Sequence, residues 1–245
     1  METLKVGVLL EGSRPVGEGI NGALRGFAQI GEEEIQVIAK YLSERELLCE
    51  ILCSQIGREL DLPVPEPFLL FDKDQKPLFG SYDVGYPNLT HYLSKDSDKE
   101  LIISKLKGWV HLQAASFFDE LILNADRHTG NLLYDGCDFQ LIDHGLTLHS
   151  SVPPETLPYV WNNQLFTLVV SICKNDIERT KVSNAGNSWT DKLISNNVIS
   201  NVISDVKGSK EIIDSLSNFL SVRQNLLKSM INIRAGASQS DFLNA

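Results

Sequence analysis

Apolar positions alternate along the first part of the chain and recur every three to four residues later. Leu4 to Leu10 is a short apolar run, followed by a turn-rich patch, Gly12-Ser-Arg-Pro-Val-Gly-Glu-Gly-Ile-Asn-Gly22. Gly26 to Ile30 and Ile35 to Tyr41 read as strands joined through Gly31-Glu-Glu-Glu34, a hairpin pattern. At Ser43 the period changes. Ser43-x-x-Glu46 has the form of a capping box, and Leu47, Leu48, Ile51, Leu52, Ile56 and Leu60 then recur at helical spacing. Prolines in Asp61-Leu-Pro-Val-Pro-Glu-Pro67 end that helix, because they cannot continue its hydrogen-bond ladder. Phe68 to Phe71 and Pro77 to Asp83 read as two further strands.

After Asn88 helical spacing dominates. Leu101 to Leu123 reads as one long amphipathic stretch, and Leu132 to Tyr134 and Phe139 to Ile142 as short strands across the turn Asp135-Gly-Cys-Asp138. From Pro158 to Ile233 nearly everything reads as helix, with a polar break over Lys174 to Asn187 and a frayed tail from Gly236 to Ser240. The expectation is an α+β chain of two lobes: residues 1–88 a sheet carrying one helix, residues 89–245 a mostly helical lobe.

Hydrophobic residues make up 42% of the 245 and charged residues 22%, which excludes disordered and collagen-like classes. Lys and Arg number 22 against 32 Asp and Glu, a net charge of −10. Such a balance argues against broad binding to nucleic acid or to an anionic membrane surface. The first residues carry no basic signal-peptide region, and no run approaches the roughly 18 apolar residues of a membrane span, so a cytoplasmic protein is expected. The four cysteines Cys49, Cys53, Cys137 and Cys173 show no zinc spacing and read as reduced thiols.

The chemistry concentrates in Asn124-Ala-Asp-Arg-His-Thr-Gly-Asn-Leu-Leu-Tyr134 and Phe139-Gln-Leu-Ile-Asp-His-Gly145. A hairpin between them folds Asp126, Asn131 and Asp143 toward one place. Two carboxylates and an amide oxygen make a hard, all-oxygen set, which suits Mg²⁺ completed by nucleotide phosphates. Taken singly, each of these residues would pass for a turn cap.

Together, Asn124-x-Asp126-x-His128-x-x-Asn131 and Ile142-Asp-His-Gly145 resemble the HipA-like kinases, in particular a short branch with Ile-Asp-His-Gly at its metal turn. Glu50 to Glu66, ending in Leu-Pro-Val-Pro-Glu, resembles that branch too, and Val37-Ile-Ala-Lys40 sits where the family keeps its nucleotide lysine. The resemblance runs from about Gly17 to the C-terminal helices. It implies a two-lobed protein-kinase-like fold, ATP as substrate and Mg²⁺ as cofactor. Carried across, Asp126 would orient and deprotonate the acceptor hydroxyl, Asn131 and Asp143 would hold metal, and Lys40 would contact the α- and β-phosphates. Glu50 would fix Lys40 by an ion pair, with Glu46 one turn away as the alternative. On a helical wheel Glu50 shares a polar stripe with Glu46, Ser54 and Gly57, the last two small enough to admit another segment.

Gly17-Glu-Gly-Ile-Asn-Gly22 has the G-x-G-x-x-G form. Lying between strands, Gly17, Gly19 and Gly22 fit a loop over phosphates better than a dinucleotide-binding turn, which must open into a helix. Ser81, Tyr82 and Asp83 fall where the lobes join, and backbone groups there would read adenine. His128 reads as packed beneath the catalytic loop and holding it by hydrogen bonds, His144 as a packing residue, and Arg127 as meeting either a phosphate or acidic surface. Phe117, Phe118 and Trp161 read as core.

The resemblance further implies transfer to a Ser or Thr hydroxyl of a protein. Relatives of this kind act as toxins or growth-control kinases on the translation machinery, phosphorylating aminoacyl-tRNA synthetases, and are restrained by an inhibitory partner protein. Asp126-Arg-His-x-x-Asn131 is also similar to the catalytic loop of phosphoinositide kinases, so a lipid kinase is the runner-up. A nucleotide-binding pseudokinase and a nucleotidyl transferase are the remaining alternatives.

Overall fold

The computed structural model describes residues 3–16, 22–93 and 99–236. The N-terminal part folds as β1 (Lys5–Leu9), β2 (Arg14–Pro15), β3 (Leu24–Ile30), β4 (Glu33–Lys40), α1 (Glu44–Glu59), β5 (Pro67–Phe71) and β6 (Pro77–Tyr82). The strands lie in the order β1-β5-β6-β4-β3-β2, and β1 also pairs with β3 through Val8–Gln29 and Leu9–Ala28. That extra pairing closes the sheet on itself. Alternation then sends Leu9, Ala28, Ile30, Val37, Ala39, Phe68, Leu70 and Leu78 into a small separate core. The interior is tight: a Cβ on Gly80 would lie 2.5 Å from Leu70, and one on Gly7 2.6 Å from the Gln29 carbonyl oxygen.

The same alternation puts Ile38 and Lys40 of β4, and Phe79 and Ser81 of β6, on the opposite face, toward the second lobe. There α1 is sandwiched. Its capping box forms as the sequence predicts, with Ser43 accepting from the Glu46 N–H and Glu46 from the Ser43 N–H. The wheel's polar stripe is not solvent-facing, because every residue from Leu47 to Gly57 is buried. Leu47, Leu48, Ile51, Leu52 and Ile56 belong to the large core of the helical lobe, not to the core of the sheet. Gly57 allows the approach of Val64 and Phe118, which a Cβ would meet at 2.9 and 3.5 Å.

The helical lobe contains α2 (Leu89–Leu93), α3 (Lys99–Lys107), α4 (Leu112–Ile122), the hairpin β7 (Leu132–Tyr134) and β8 (Phe139–Leu141), α5 (Gln164–Ile172), α6 (Asp176–Ser195), α7 (Val198–Asp205) and α8 (Lys210–Ala235). Two expectations need correction. Leu101 to Leu123 is two helices, because Gly108 ends the first and the chain turns to bury Trp109, whose indole N–H donates to Asp138 at 2.5 Å. Lys174 to Asn187 is not a break beyond Asn175. Asn175 caps α6 by accepting from the Glu178 N–H at 3.0 Å, and the helix runs straight through the polar stretch. Its buried stripe is Val182, Ser183, Gly186, Thr190 and Leu193, whose small polar members mask the helical period. A Cβ on Gly186 would meet Ile231 of α8 at 2.6 Å, so the glycine sets how closely α6 and α8 pack. Among the described residues no helix is long and apolar enough to cross a membrane.

Candidate active site

A cleft of about 640 Å³ lies between the sheet and the helical lobe, a size that suits a nucleotide-like ligand. Its apolar walls come from Ile38, Val64, Phe79 and Leu141, and its polar floor from Lys40, Glu50, Asp126, Asn131 and Asp143. In the sequence Val64 belongs to the proline segment that ends α1 and to the Leu-Pro-Val-Pro-Glu resemblance, neither of which marks it as lining a cleft. Its place follows from a hydrogen bond of the Leu141 N–H to the Pro63 carbonyl at 2.9 Å, which ties the proline segment to β8.

Lys40 closes β4 and is 9% exposed. Its Nζ lies 3.2 Å from Glu50 Oε1 and 3.0 Å from Asp143 Oδ1. The second Glu50 oxygen accepts the backbone N–H of His144 at 2.8 Å. Glu46, the alternative partner, is occupied elsewhere, with its Oε2 accepting the Ser43 N–H and hydroxyl at 3.0 and 2.7 Å. Burial alone would push the Glu50 carboxyl up; the Lys40 ammonium and the adjacent His144 outweigh burial and hold it at about 2. For Lys40, burial pulls the ammonium down, while Glu50 and Asp143 more than reverse this and raise it above its ordinary value.

Asp143 adopts φ +64°, a left-handed conformation in which aspartate is tolerated better than most residues. The turn places its carboxyl beside Lys40 and is held from behind by Glu50. His144 is fully buried, edge-on to Phe118 at 5.7 Å, as the packing reading expects. Its Nδ1 lies 3.6 Å from Glu50 Oε2, beyond hydrogen-bond reach, and neither ring nitrogen has a hydrogen-bond partner among the described residues.

The loop from Asn124 to Asn131 is braced by Arg127, which is 1% exposed. Neither sequence reading of it holds, since it meets no cleft anion and no surface. Its guanidinium forks onto Asp119 of α4, with Nε to Oδ2 and Nη2 to Oδ1 both 3.0 Å, and Nη1 donates to the carbonyls of Asn131 and Ile142 at 2.8 Å each. A bidentate, hydrogen-bonded pair of this kind makes burial of both charges tolerable. The signal was present as Asp119 and Arg127 eight residues apart, but only the fold makes them partners. His128 holds the loop by a hydrogen bond, as expected, but is not packed beneath it. It is exposed, and its Nδ1 accepts the Gly130 N–H at 2.9 Å, capping the short turn Thr129–Asn131 from outside.

Asn131 spends its amide N–H₂ on the Asp126 carbonyl at 2.9 Å, which leaves its Oδ1 as the atom available to the cleft. Asp126 is exposed at the cleft edge. No group of three or more His, Cys, Asp or Glu side chains forms a metal cage among the described residues. One amide oxygen and one carboxylate fit Mg²⁺ nonetheless, since that ion is commonly held by one or two protein oxygens together with substrate phosphates.

At the lobe junction Ser81, Tyr82 and Asp83 line the cleft, but the Tyr82 and Asp83 N–H groups are donated to Glu66 and Gln36 carbonyls at 2.9 and 3.0 Å. The Asp83 carboxylate pairs with Arg25 at 2.6 Å and accepts the Gly85 N–H at 2.9 Å, fixing the turn into the second lobe. Gly17 and Gly19 lie outside the described residues; Gly22 has φ +58°. The Val16 N–H is bonded to the Ala23 carbonyl at 2.9 Å, and both residues line the cleft. Cys49 and Cys53 are core thiols, buried beside Thr147, and burial pushes the Cys49 thiol up to about 12.

No protein-family model matches the sequence, and neither does any curated protein. Among solved structures, the chain is similar to the proinflammatory kinase CtkA of Helicobacter pylori, with a TM-score of 0.58 at 14% identity over 94% of this chain and 96% of that one. The chain has a kinase fold. A second similar structure is the HipA toxin of Shewanella oneidensis, solved with HipB and operator DNA. It has a TM-score of 0.49 at 12% identity, over 91% of this chain and 66% of that one. The likeness to the first of these structures shows the two-lobed kinase fold expected from the sequence resemblance.

Proposed function

We propose that the chain is an ATP- and Mg²⁺-dependent kinase that transfers the γ-phosphoryl group to a Ser or Thr hydroxyl of a protein. The observation that carries this reading is the convergence on one cleft of Lys40, bridged to Glu50 and Asp143, with Asp126 and Asn131.

In this account the apolar walls at Ile38, Val64, Phe79 and Leu141 take the base, and Lys40 neutralises the α- and β-phosphates. Asn131 Oδ1 and the Asp143 carboxylate would hold Mg²⁺, which would supply charge neutralisation to the nucleotide phosphates. Asp126 accepts the proton of the acceptor hydroxyl. The oxygen so freed forms its bond to the γ-phosphorus as the bond from phosphorus to the β,γ-bridging oxygen breaks, and ADP leaves with that electron pair. Glu50 keeps Lys40 extended toward the cleft and steadies the Asp143 turn through the His144 N–H.

A protein acceptor is favoured over a phosphoinositide because the net charge of −10 opposes an anionic membrane surface. The HipA-like resemblance extends the proposal to a growth-control or toxin role directed at the translation machinery, with an aminoacyl-tRNA synthetase as acceptor and an inhibitory partner protein. Incubation of the purified chain with γ- or α-labelled ATP and cell extract tests the reading. Label entering protein from the γ position alone is the expected result. Label from the α position would replace kinase by nucleotidyl transfer, and label confined to lipid would establish the runner-up.

A further inference from the structure

We infer that Arg127 is a positioning residue that sets the spacing of the metal-holding residues and so selects Mg²⁺ over larger divalent ions. The inference rests on the phosphoryl-transfer reading above, and it concerns a residue that has no direct part in that reaction.

One nitrogen, Arg127 Nη1, donates at 2.8 Å to two carbonyls: that of Asn131, itself a metal-holding residue, and that of Ile142, which immediately precedes Asp143. The Ile142 N–H returns a bond to the Asn131 carbonyl at 3.2 Å. The segments that carry the two oxygen donors, one just before β7 and the other just after β8, are therefore pinned to each other through a single guanidinium. The remaining donors refer that pin to a helix rather than to a loop, because Nε and Nη2 both grip the carboxylate of Asp119. Asp119 is fully buried on α4 and also holds Asn124 Nδ2 at 3.0 Å, so the start of the catalytic loop shares the same anchor.

A planar fork with fixed donor directions transmits position in a way that a flexible ammonium cannot. Mg²⁺ requires nearly ideal octahedral geometry at about 2.0–2.1 Å, whereas Ca²⁺ accepts irregular sets at about 2.3–2.6 Å. A rigid spacer beneath two donors therefore matters most for the smaller ion. Loosening it should cost Mg²⁺ more than Ca²⁺, which tolerates a wider and less regular site.

The test is calorimetric binding of a non-hydrolysable ATP analogue in the presence of Mg²⁺, of Ca²⁺, and of no divalent ion. Wild type, Arg127→Lys and Asp119→Asn are compared. Lysine keeps the charge but cannot bond both carbonyls and clamp Asp119 together, and asparagine keeps the shape while removing the charge that anchors the fork. The expected result is a loss of about ten-fold or more in Mg²⁺-supported affinity, of the size seen when groups behind metal ligands are changed. Ca²⁺-supported affinity should change much less, so the Mg²⁺-to-Ca²⁺ ratio falls. A variant whose affinities drop equally with both ions, or do not drop, overturns the inference while leaving the kinase reading intact. Wild type that binds the analogue equally with and without divalent ion overturns both. Should Arg127→Lys fail to fold, by far-UV circular dichroism, the ratio measured for Asp119→Asn decides alone.

Discussion

The Glu50 carboxylate accepts the backbone N–H of His144 at 2.8 Å while its other oxygen lies 3.2 Å from Lys40 Nζ. One buried side chain on α1 thus joins the end of β4 to the turn carrying Asp143. In the proposed reaction, the group that contacts phosphate and the group that holds metal are registered against each other through this residue.

That arrangement makes Lys40→Ala and Glu50→Ala strongly non-additive, because either change dismantles the same unit. Lys40→Ala should be the more damaging to turnover, since it also loses the phosphate contact. Glu46→Ala should leave activity near wild type and lower stability by about 1 kcal/mol, the net worth of the reciprocal bond from its carboxylate to the N-cap Ser43. Turnover and denaturant unfolding of the three single variants and the double variant check this. Activity that collapses in Glu46→Ala but survives in Glu50→Ala would contradict the pairing.

The pH dependence follows from the same pair. The Glu50 carboxyl, held at about 2 in the folded chain, contributes stability at pH values above its unfolded value of about 4.3, and that contribution is lost as pH falls toward 2. The raised Lys40 ammonium contributes below about pH 10.4, and its share is lost as pH rises through the higher folded value. The melting-temperature gap between wild type and Glu50→Gln should therefore be level from about pH 5 to 9 and shrink from about pH 4.5 to 2. A gap unchanged down to pH 2 would show that the charge of Glu50 does not stabilise the fold.

Much of this was legible in the sequence because it is local. The capping box at Ser43 and Glu46 and the hairpin strands around Gly31 depend on neighbours within a few residues, and Asp126, Asn131 and Asp143 are brought to one cleft by a single short hairpin. What was not legible depends on partners far apart in the chain. Arg127 looked like a surface or phosphate-binding group because its carboxylate, Asp119, belongs to the preceding helix, and its carbonyl partners only meet it after the hairpin folds back. Helix α6 was hidden because its buried stripe uses Ser183, Gly186 and Thr190, small residues chosen by the close approach of α8 rather than by hydrophobicity. Glu46 and Glu50 could not be separated by sequence, as both sit on one stripe of α1.

Asp143→Ala should weaken binding of Mg²⁺-ATP as well as turnover, since this carboxylate is proposed to hold the ion. Removing it also frees Lys40 from one of its two carboxylate partners. Calorimetric titration with ATP, with and without Mg²⁺, separates the effects. The variant should bind ATP with little gain from the metal, and an undiminished Mg²⁺ dependence would take Asp143 out of the site.

Asp126→Ala provides the most direct test of the proposed phosphoryl-transfer centre. A base directed at the acceptor acts in the transition state far more than in the ground state, so its loss should lower the rate while leaving nucleotide affinity within a few-fold. The measurement is single-turnover transfer from γ-labelled ATP to protein by wild type and variant, at saturating ATP and Mg²⁺. A fall of about 10²–10⁴-fold, the range for a lost general base, is the predicted result; transfer at near wild-type rate would contradict the assignment of this cleft as a kinase centre built on Asp126.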